Sequence, residues 1–433
     1  MGILLKNIQM LLYTEKGPVV KRDNIYIEDR IIKAIGERPD TFSEDKVIDG
    51  TDRFAIPGMI NAHTHSYMAF LRNVADDLSF MDWLFGTIDP LEQKMSSEDA
   101  YWGANLAILE MMKSGTTCFN DMQMNIHQTT RAVKESGMRA VICRGLVGSG
   151  NDEAGRIRLN EAYEEREAFK DCDRLNFFLG PHAPYTCDEE YLKIVASEAK
   201  KEKMGIHIHL AESLSEMEGC AEKYHCTPIE LAERCGLFDV PAIAAHCVNV
   251  NDGDLDILKE KNVSVVTNPA SNMKLGNGFA PVAKMLEKGI NVCLGTDGAA
   301  SNNSLNMFHE MNLLSLIHKG VAKVPQCISA KEAIQIATIN GAKALGLEQQ
   351  IGSIEVGKKA DLAIINLRTP SFMPKNNLIA GLAYSANGSE VETVIIDGTI
   401  TMENRNVLTM DEERIYFEMD QILKKMGLEN KVY

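Results

Sequence analysis

The chain has 433 residues, of which 45% are hydrophobic and 24% are charged, and its formal net charge is −16. This composition is typical of a soluble globular protein that is long enough for one large domain and a smaller one. The negative charge excludes nucleic acid as an expected partner, because phosphate binding requires clustered Lys and Arg.

The sequence also predicts a cytoplasmic protein without a membrane partner. The apolar run in residues 1–6 is too short for a secretory signal, and no apolar run approaches the length of a membrane span. The ten cysteines are scattered without a Cys-x-x-Cys pair, so we expect reduced thiols. The missing pair also excludes the Cys-ligated zinc deaminase signature.

Residues 1–55 predict short β-strands and turns, such as 25–27 and 30–35. From residue 54 onward, strand-like runs alternate with amphipathic segments such as 97–114, which is typical of parallel β/α units. The predicted strands are 54–60, 116–121, 139–146, 175–182, 206–212, 243–248, 263–268 and 291–297. Eight such repeats predict an α/β fold, a (β/α)8 TIM barrel with its chemistry at the C-terminal ends of the strands.

Short strands return after residue 352, at 360–366, 393–396 and 399–402. We therefore expect residues 1–55 and 352–408 to form one small flanking β-sandwich domain beside a barrel of residues 56–351. Residues 409–433 predict a C-terminal helix that begins with a capping box of Thr409 and Glu412.

His63 and His65 end the first predicted barrel strand, in the run IPGMINAHTH. Alternate side chains of a strand point to the same side, so these two imidazoles project together, about 7 Å apart along the backbone. The spacing suits two ligands of one metal ion, although a lone His-x-His pair is more often a surface or core feature.

Other predicted strands end in similar residues. Six of the ten histidines lie at or beside strand ends, and Asp297 ends the eighth strand; the histidines are His63, His65, His182, His207, His209 and His246. Core histidines would be scattered over the strands rather than gathered at their ends. The distribution therefore predicts a metal site at the mouth of the barrel.

The motifs PGMINAHTH, HIHLAES, AAHC and LGTDGAASNNS span nearly the whole chain and resemble those of the amidohydrolase superfamily. The resemblance implies a (β/α)8 barrel with a flanking β-sandwich. Within the superfamily, LRNVADDLSFMDWL, GPHAPYTC, TNPASNMKLGNGFAP and GTDGAASNNS are most similar to motifs of deaminases that act on 5′-methylthioadenosine and S-adenosylhomocysteine.

The family implies that His63, His65, His209 and Asp297 bind one divalent metal ion. Zinc is the usual metal, with Fe²⁺ and Mn²⁺ as alternatives, and such a centre activates a water molecule. His207 lies on the same strand face as His209 and competes for the ligand role, which the resemblance gives to His209. The fourth predicted strand lacks the Lys expected in two-metal members, which favours one metal.

The family also implies the catalytic residues. Glu212 would protonate the ring nitrogen, while Asp297 and His246 would orient the water and pass its proton to the departing ammonia. Glu212 and Asp297 would thereby contact the substrate as well. The alternative interpretation of Glu212 is a helix-capping residue.

Further positions match the substrate pocket of the family. Glu92 and His182 would contact the ribose, and Arg144 and Arg156 would line a distal pocket for a carboxylate such as that of a homocysteine tail. Arg158 is two residues from Arg156 and is the alternative to it.

Residues 66–95 are long for a βα loop, and such loops often act as lids. This segment carries Phe80, Trp83 and Phe85 beside Glu92. Trp83 either packs against the nucleoside or belongs to a small core beneath the loop, and the sequence leaves both interpretations open.

These patterns predict a hydrolase that deaminates the adenine ring of S-adenosylhomocysteine or 5′-methylthioadenosine, with adenosine as a further candidate. One alternative is an aminohydrolase of guanine, cytosine or a triazine. A more remote one is a non-catalytic barrel, which the retained ligand set disfavours. The expected partner is a small nucleoside, and superfamily members often self-associate, so a homo-oligomer is a further expectation.

Overall fold

The computed structural model describes residues 2–428 of the chain. Its strands form an eight-stranded and a nine-stranded sheet. In chain order they are β1 (Ile3–Thr14), β2 (Gly17–Glu28), β3 (Ile31–Ile35), β4 (Lys46–Asp49), β5 (Arg53–Pro57), β6 (Met59–Thr64), β7 (Thr116–Gln123), β8 (Arg139–Leu146), β9 (Leu175–Pro181), β10 (Gly205–Leu210), β11 (Ala242–His246), β12 (Ser264–Thr267), β13 (Val292–Leu294), β14 (Leu362–Asn366), β15 (Val391–Ile396), β16 (Thr399–Glu403) and β17 (Asn406–Val407).

Helices connect most of these strands. They are α1 (Asp89–Glu92), α2 (Ser97–Lys113), α3 (Ile126–Ser136), α4 (Glu153–Ala168), α5 (Glu189–Glu202), α6 (Leu214–Tyr224), α7 (Pro228–Arg234), α8 (Asp252–Glu260), α9 (Pro269–Lys274), α10 (Val282–Glu287), α11 (Ala299–Asn302), α12 (Met307–Ala322), α13 (Ala330–Ala337), α14 (Ile339–Ala344), α15 (Leu378–Tyr384) and α16 (Glu412–Met426). A π-helical turn, Asp82–Ile88, and 3₁₀ turns at Ser66–Leu71, Leu237–Asp239 and Pro370–Phe372 complete them.

The eight-stranded sheet is a parallel barrel. Strands β6 to β13 pair in chain order, and each pair is parallel. Just after β13, the N–H groups of Thr296 and Asp297 donate to the carbonyl oxygen of His63 at 3.1 and 3.0 Å. The predicted (β/α)8 barrel is confirmed, and its closure brings the ends of the first and last barrel strands together.

The first predicted barrel strand, 54–60, is wrong in position. Residues Arg53–Pro57 form β5, which pairs with β1 and β14 of the other sheet, and the barrel strand β6 begins at Met59. The chain changes sheet at Gly58, where a Cβ would lie 2.0 Å from Oγ1 of Thr117. Both strands are largely buried, so the sequence shows one unbroken apolar run across the change.

The nine-stranded sheet is built from both ends of the chain, as predicted for the flanking β structure. Its order is β17-β16-β15-β14-β5-β1-β2-β3, with β4 beside β1, and it mixes parallel and antiparallel pairs. Alternate residues of its strands form a separate apolar core, which includes Ile3, Leu5, Ile8, Met10, Ile25, Ile27, Leu362, Ile364 and Ile395.

Helix α16 lies inside the segment 409–433 that predicts a C-terminal helix, of which residues 429–433 are outside the described part. Its N-cap is Asp411, whose carboxylate accepts the N–H of Arg414, so the predicted capping box at Thr409 is wrong. Asp is as good an N-cap as Thr, and the residue at the actual helix start takes the role. Within residues 2–428, no helix is both long and apolar enough to cross a membrane.

Candidate metal centre and active site

Four of the predicted site residues converge at the C-terminal end of the barrel. Nε2 of His63 and Nε2 of His65 each lie 3.3 Å from Oδ1 of Asp297. Nε2 of His209, on β10, lies 3.3 Å from Nε2 of His65. Three imidazole nitrogens and one carboxylate oxygen thus face one point, which is the donor set of a single divalent metal site with an open position.

Hydrogen bonds behind the imidazoles leave their metal-facing nitrogens free. Nδ1 of His65 and Nδ1 of His209 lie 2.7 Å from the carbonyl oxygens of Met122 and His182. A carbonyl accepts only from an N–H, so Nδ1 carries the hydrogen in both rings and Nε2 presents a lone pair. Among the described residues, Nε2 of His63 is buried without a hydrogen bond of good geometry. These residues fit a metal ion.

His207 lies behind the centre rather than in it. Its Nε2 is 2.9 Å from Nδ1 of His63, and its Nδ1 is 3.1 Å from Nδ2 of Asn120. The ring is fully buried, two residues before His209 on β10 and therefore farther from the mouth of the barrel. This position supports the ring of His63 and leaves the metal-facing position on β10 to His209.

Burial sets the charges of these groups. It lowers the pKa of His63 to about 4 and holds the pKa of His209 well below its usual value. Burial alone would raise the pKa of Asp297, but the facing imidazoles outweigh it and hold that pKa well below its usual range. Neutral imidazoles and an ionised carboxylate are the forms that bind a metal.

Glu212 and His246 lie beside the centre. Oε2 of Glu212 is 3.7 Å from Nε2 of His246. Burial, together with the negative charge of Asp297, raises the pKa of Glu212 well above its usual range, although an N–H from Asn277 opposes the rise. Both effects favour the protonated form of this carboxyl group over the carboxylate. Nδ1 of His246 lies 2.7 Å from Oδ1 of Asn272, which orients its ring.

A cavity opens onto the centre. Its wall includes Glu92, His182, Trp83 and Tyr185. Burial raises the pKa of Glu92, whose carboxylate accepts the hydroxyl of Tyr67. The pKa of the His182 ring falls to about 3, mainly through burial, and its Nδ1 lies 2.9 Å from Oγ1 of Thr186.

A second, more open cavity lies next to the first, and Tyr67, Glu92 and Met124 line both. Arg144, at the end of β8, lines the second cavity and pairs with Glu161 on α4 at 2.7 Å. A substituent on a molecule bound in the first cavity would extend past Met124 toward this guanidinium group.

The structure separates the two other candidate arginines. Arg158 lines the second cavity, and its Nη1 donates to the carbonyl of Val147 at 2.8 Å. Arg156 is exposed and is not part of the cavity wall. Two helix positions correspond to a rotation of about 200°, so neighbours at this spacing lie on opposite sides of α4.

Several contacts of the site were not predicted from the sequence. The hydroxyls of Ser271 and Ser301 donate to Oδ2 of Asp297 at 2.6 and 2.7 Å. Asn272 and Asn277 hold His246 and Glu212. All four lie in the stretches TNPASNMKLGNGFAP and GTDGAASNNS. The high density of Asn and Ser after two barrel strands is the feature of the sequence that could have indicated these contacts.

The indole of Trp83 also has a defined place. Its Nε1 donates to the carbonyl of Ala300 at 3.1 Å, and the ring lines the first cavity near Phe80. Trp83 therefore ties the segment 66–95 to the region after Asp297 and contributes to the cavity wall. The packing of Trp83 against a nucleoside stays a prediction.

Comparisons with known proteins agree with this geometry. The chain is 47% identical to a 5-methylthioadenosine/S-adenosylhomocysteine deaminase of Thermoanaerobacter pseudethanolicus, over 98% of this chain and 99% of that protein. It is 45% identical to the protein of the same name from Acetivibrio thermocellus, over 98% of this chain and 100% of that one.

A crystal structure of an adenosine deaminase from Xanthomonas campestris with bound zinc matches with a TM-score of 0.94 and 31% identity, covering 98% of both chains. A triazine hydrolase from an Arthrobacter species shares the fold at 22% identity, with a TM-score of 0.89, over 98% of this chain and 99% of that one. The model of the amidohydrolase family matches residues 54–401. The chain belongs to the amidohydrolase family.

Proposed function

We propose that this protein hydrolytically deaminates the adenine ring of 5′-methylthioadenosine and S-adenosylhomocysteine and releases ammonia. Near-full-length identity of 43–47% to curated deaminases of these nucleosides carries the proposal. The feature of this chain that agrees best with it is a buried Glu212, whose pKa is raised by burial, beside a donor set for one metal ion. Deamination needs both an acid for the ring and an activated water.

The amidohydrolase family is metal-dependent, and we propose zinc as the metal, with Fe²⁺ or Mn²⁺ as alternatives. His63, His65, His209 and Asp297 would hold it, because their free nitrogens and carboxylate oxygen face one point. When bound, a divalent metal supplies the Lewis acidity that activates a water molecule for attack. The zinc in the related adenosine deaminase structure supports this choice.

Glu212 supplies the proton in this proposal. As the water oxygen bonds to C6 of the adenine ring, electron density moves onto the adjacent ring nitrogen, which takes the proton of Glu212. The C6–N bond then breaks, and the amine takes the first proton of the water and leaves as ammonia. The new hydroxyl group loses the second proton as the inosine-type carbonyl forms, and return of this proton to Glu212 restores the acid. The raised pKa of Glu212 supports this role, because an ordinary Glu would already be ionised at neutral pH.

His246 and Asp297 move the protons of the water. Nδ1 of His246 faces the side-chain oxygen of Asn272 and so carries a hydrogen, which leaves Nε2 free to accept a proton from the water and give it to the leaving amine. Ser271 and Ser301 hold Oδ2 of Asp297, which fixes the carboxylate while its Oδ1 faces the centre.

The two cavities suit a nucleoside with a 5′ substituent. We propose that Glu92 and His182 bind the ribose, since both line the first cavity close to the centre. Arg144 would bind the carboxylate of a homocysteine tail in the second cavity. For the second arginine, family similarity favours Arg156 and the cavity wall favours Arg158. The methyl group of 5′-methylthioadenosine would end near Met124.

The deciding experiment follows ammonia release and the change in adenine absorbance with purified, zinc-loaded protein. The expected result is turnover of 5′-methylthioadenosine and S-adenosylhomocysteine. Turnover of guanine, cytosine or a triazine without turnover of any adenosine derivative would reject the substrate assignment but keep the aminohydrolase class. A loaded protein that hydrolyses none of these compounds would favour the non-catalytic alternative.

We also propose a cytoplasmic location. All ten cysteines lie within the described residues and are free thiols, most of them buried. Such thiols are usual in reducing compartments. The proposal would fail if the natural protein were recovered with disulfide bonds.

A further inference from the structure

Glu216 is a buried carboxylate that the proposed chemistry does not use. It lies in the first turn of α6 and is 5% exposed. Its two oxygens accept the backbone N–H groups of Ala211 and Glu212, at 3.0 and 2.8 Å. A carboxyl group removed from water and bonded to two successive N–H groups holds that piece of backbone in one conformation.

The backbone that Glu216 holds is unfavourable in itself. Ala211 has a φ of 52°, in the left-handed region that disfavours residues with a Cβ. On its other side, the carbonyl oxygen of Ala211 accepts the N–H groups of Val248 and Asn249 at 3.0 and 2.8 Å. Glu216 of α6 therefore binds the N–H groups of this turn, and the residues that follow β11 bind its carbonyl oxygen.

This turn determines where Glu212 points. Residues 207 and 209 of β10 face the barrel interior, and continued strand alternation would direct residue 211 inward and residue 212 outward. The left-handed residue breaks this alternation. As a result, the carboxyl group of Glu212 faces His246 at 3.7 Å and accepts an N–H from Asn277 at 3.1 Å.

We propose that Glu216 is a positioning residue for deamination. By binding the two N–H groups, it stabilises the left-handed turn at Ala211 that directs Glu212 into the active site. The inference rests on the proposed function, in which Glu212 is the proton donor. Glu216 itself lies behind the backbone and contacts neither the substrate nor the metal ligands.

The first test compares Glu216→Gln with Glu218→Gln. Glutamine has the shape of Glu, but its amide nitrogen would face one of the two N–H donors, so one hydrogen bond is lost. We expect kcat to fall roughly 10- to 100-fold, which lies within the range of couplings between contacting residues, with metal content unchanged. Glu218 is exposed on the same helix, and Glu218→Gln should behave like wild type.

Wild-type turnover of 5′-methylthioadenosine is measured first, which distinguishes the two proposals. A wild type that deaminates no adenosine derivative contradicts the proposed function. A wild type that is active, with Glu216→Gln equally active, contradicts only the positioning role.

Two further variants separate positioning from a general structural role. Glycine adopts the left-handed conformation without the steric penalty of a Cβ, so adding Ala211→Gly to Glu216→Gln should restore most of the lost kcat. If Glu216→Gln alone does not fold, the added glycine should restore folding. Adding Glu216→Gln to Glu212→Gln should cost no further activity, because Glu216 acts only through Glu212. The inference would be overturned if Ala211→Gly did not restore the activity of Glu216→Gln. It would also be overturned if Glu216→Gln lowered the activity of Glu212→Gln further.

Discussion

Glu212 and His246 face each other across the active-site cavity, with Oε2 of the carboxyl group 3.7 Å from Nε2 of the imidazole. The pKa of Glu212 is raised by burial and by Asp297, so this group can give a proton. Nδ1 of His246 faces Oδ1 of Asn272, which favours the tautomer whose Nε2 can accept a proton. The pair thus matches the two proton movements of deamination, one to the ring and one from the water.

The pH dependence should report on Glu212. Only its protonated form can donate, so kcat/KM should fall as the pH rises through the raised pKa. The N–H of Asn277 stabilises the carboxylate and lowers that pKa. Asn277→Ala should therefore raise the pKa and move the alkaline limb of the pH–rate profile to higher pH.

The matched variant for this measurement is Asn249→Ala. Asn249 donates to the backbone carbonyl of Glu212 at 2.9 Å and not to its carboxyl group. Its loss should lower the rate without moving the alkaline limb. A limb that stays in place or moves to lower pH in Asn277→Ala would mean that another group titrates.

Metal content should distinguish His209 from His207. His209→Ala removes a nitrogen that faces the centre, so the purified protein should hold far less than one metal ion per chain and lose activity with it. His207→Ala removes only the support behind His63 and should weaken metal binding about 10- to 100-fold. Metal analysis and chelator titration measure both effects. A larger loss of metal in His207→Ala than in His209→Ala would reject the ligand assignment.

The positions of the metal-facing residues could be predicted from local patterns. His63, His209 and Asp297 each follow an apolar run, and a parallel barrel gathers such strand ends at one mouth. This argument survives an error in the bounds of a strand. Strand β6, which contains His63, begins five residues later than predicted, at Met59 instead of residue 54, yet its C-terminal end is still at the mouth.

Other features depend on geometry that the sequence does not carry. The choice between Arg156 and Arg158 depends on where α4 begins, because each residue adds about 100° of rotation. The role of Glu216 depends on the left-handed backbone of Ala211, a residue type that rarely adopts it. Neither a helix phase nor a single φ angle can be obtained from residue types alone.

Substrate selectivity should change when Arg144 is replaced. Arg144→Ala removes the guanidinium group of the second cavity, so kcat/KM for S-adenosylhomocysteine should fall roughly 10- to 100-fold, the value of a charge-assisted hydrogen bond. 5′-Methylthioadenosine has no carboxylate and should be little affected. The quantity to measure, in one preparation, is kcat/KM for S-adenosylhomocysteine divided by kcat/KM for 5′-methylthioadenosine.

The cavity wall extends this prediction to α4. Arg158→Ala should lower the same ratio, while Arg156→Ala, on the exposed side of the helix, should leave it near the wild-type value. A selective loss in Arg156→Ala alone would show that α4 presents its other side when the substrate is bound.

Trp83 should report on the filling of the first cavity. Trp83→Phe keeps an aromatic ring but loses the hydrogen bond to Ala300, so KM for both nucleosides should rise about 3- to 10-fold, the value of one buried hydrogen bond. The chain has only two Trp residues, and Trp102 lies on α2 outside the cavity wall. Quenching of fluorescence by bound nucleoside should persist in Trp102→Phe and disappear in Trp83→Phe. The opposite pattern would place the ligand elsewhere.

Arg139 joins the barrel to the flanking sheet. It is the first residue of β8 and is 1% exposed. Its Nε donates to Oδ2 of Asp361 at 2.7 Å, and its Nη2 lies 3.3 Å from Oδ1 of Asp397. Asp361 directly precedes β14 and Asp397 directly follows β15. The guanidinium group is therefore the cation of Asp361, and it shares Asp397 with Arg30 and Lys359.

Replacing Arg139 should affect stability rather than chemistry. Arg139→Met leaves the buried carboxylate of Asp361 without its cation, while Asp397 keeps Arg30 and Lys359, and the free energy of unfolding should fall by about 3–5 kcal/mol. The site lies at the opposite end of the barrel strands, so kcat of the folded variant should match wild type. Urea unfolding measures the loss.

The control is Arg131→Met, which breaks an exposed pair with Glu135 and should cost less than about 1 kcal/mol. Equal stability of the two variants would contradict a structural role for the buried pair, and a loss of kcat in folded Arg139→Met would couple the flanking sheet to the active site.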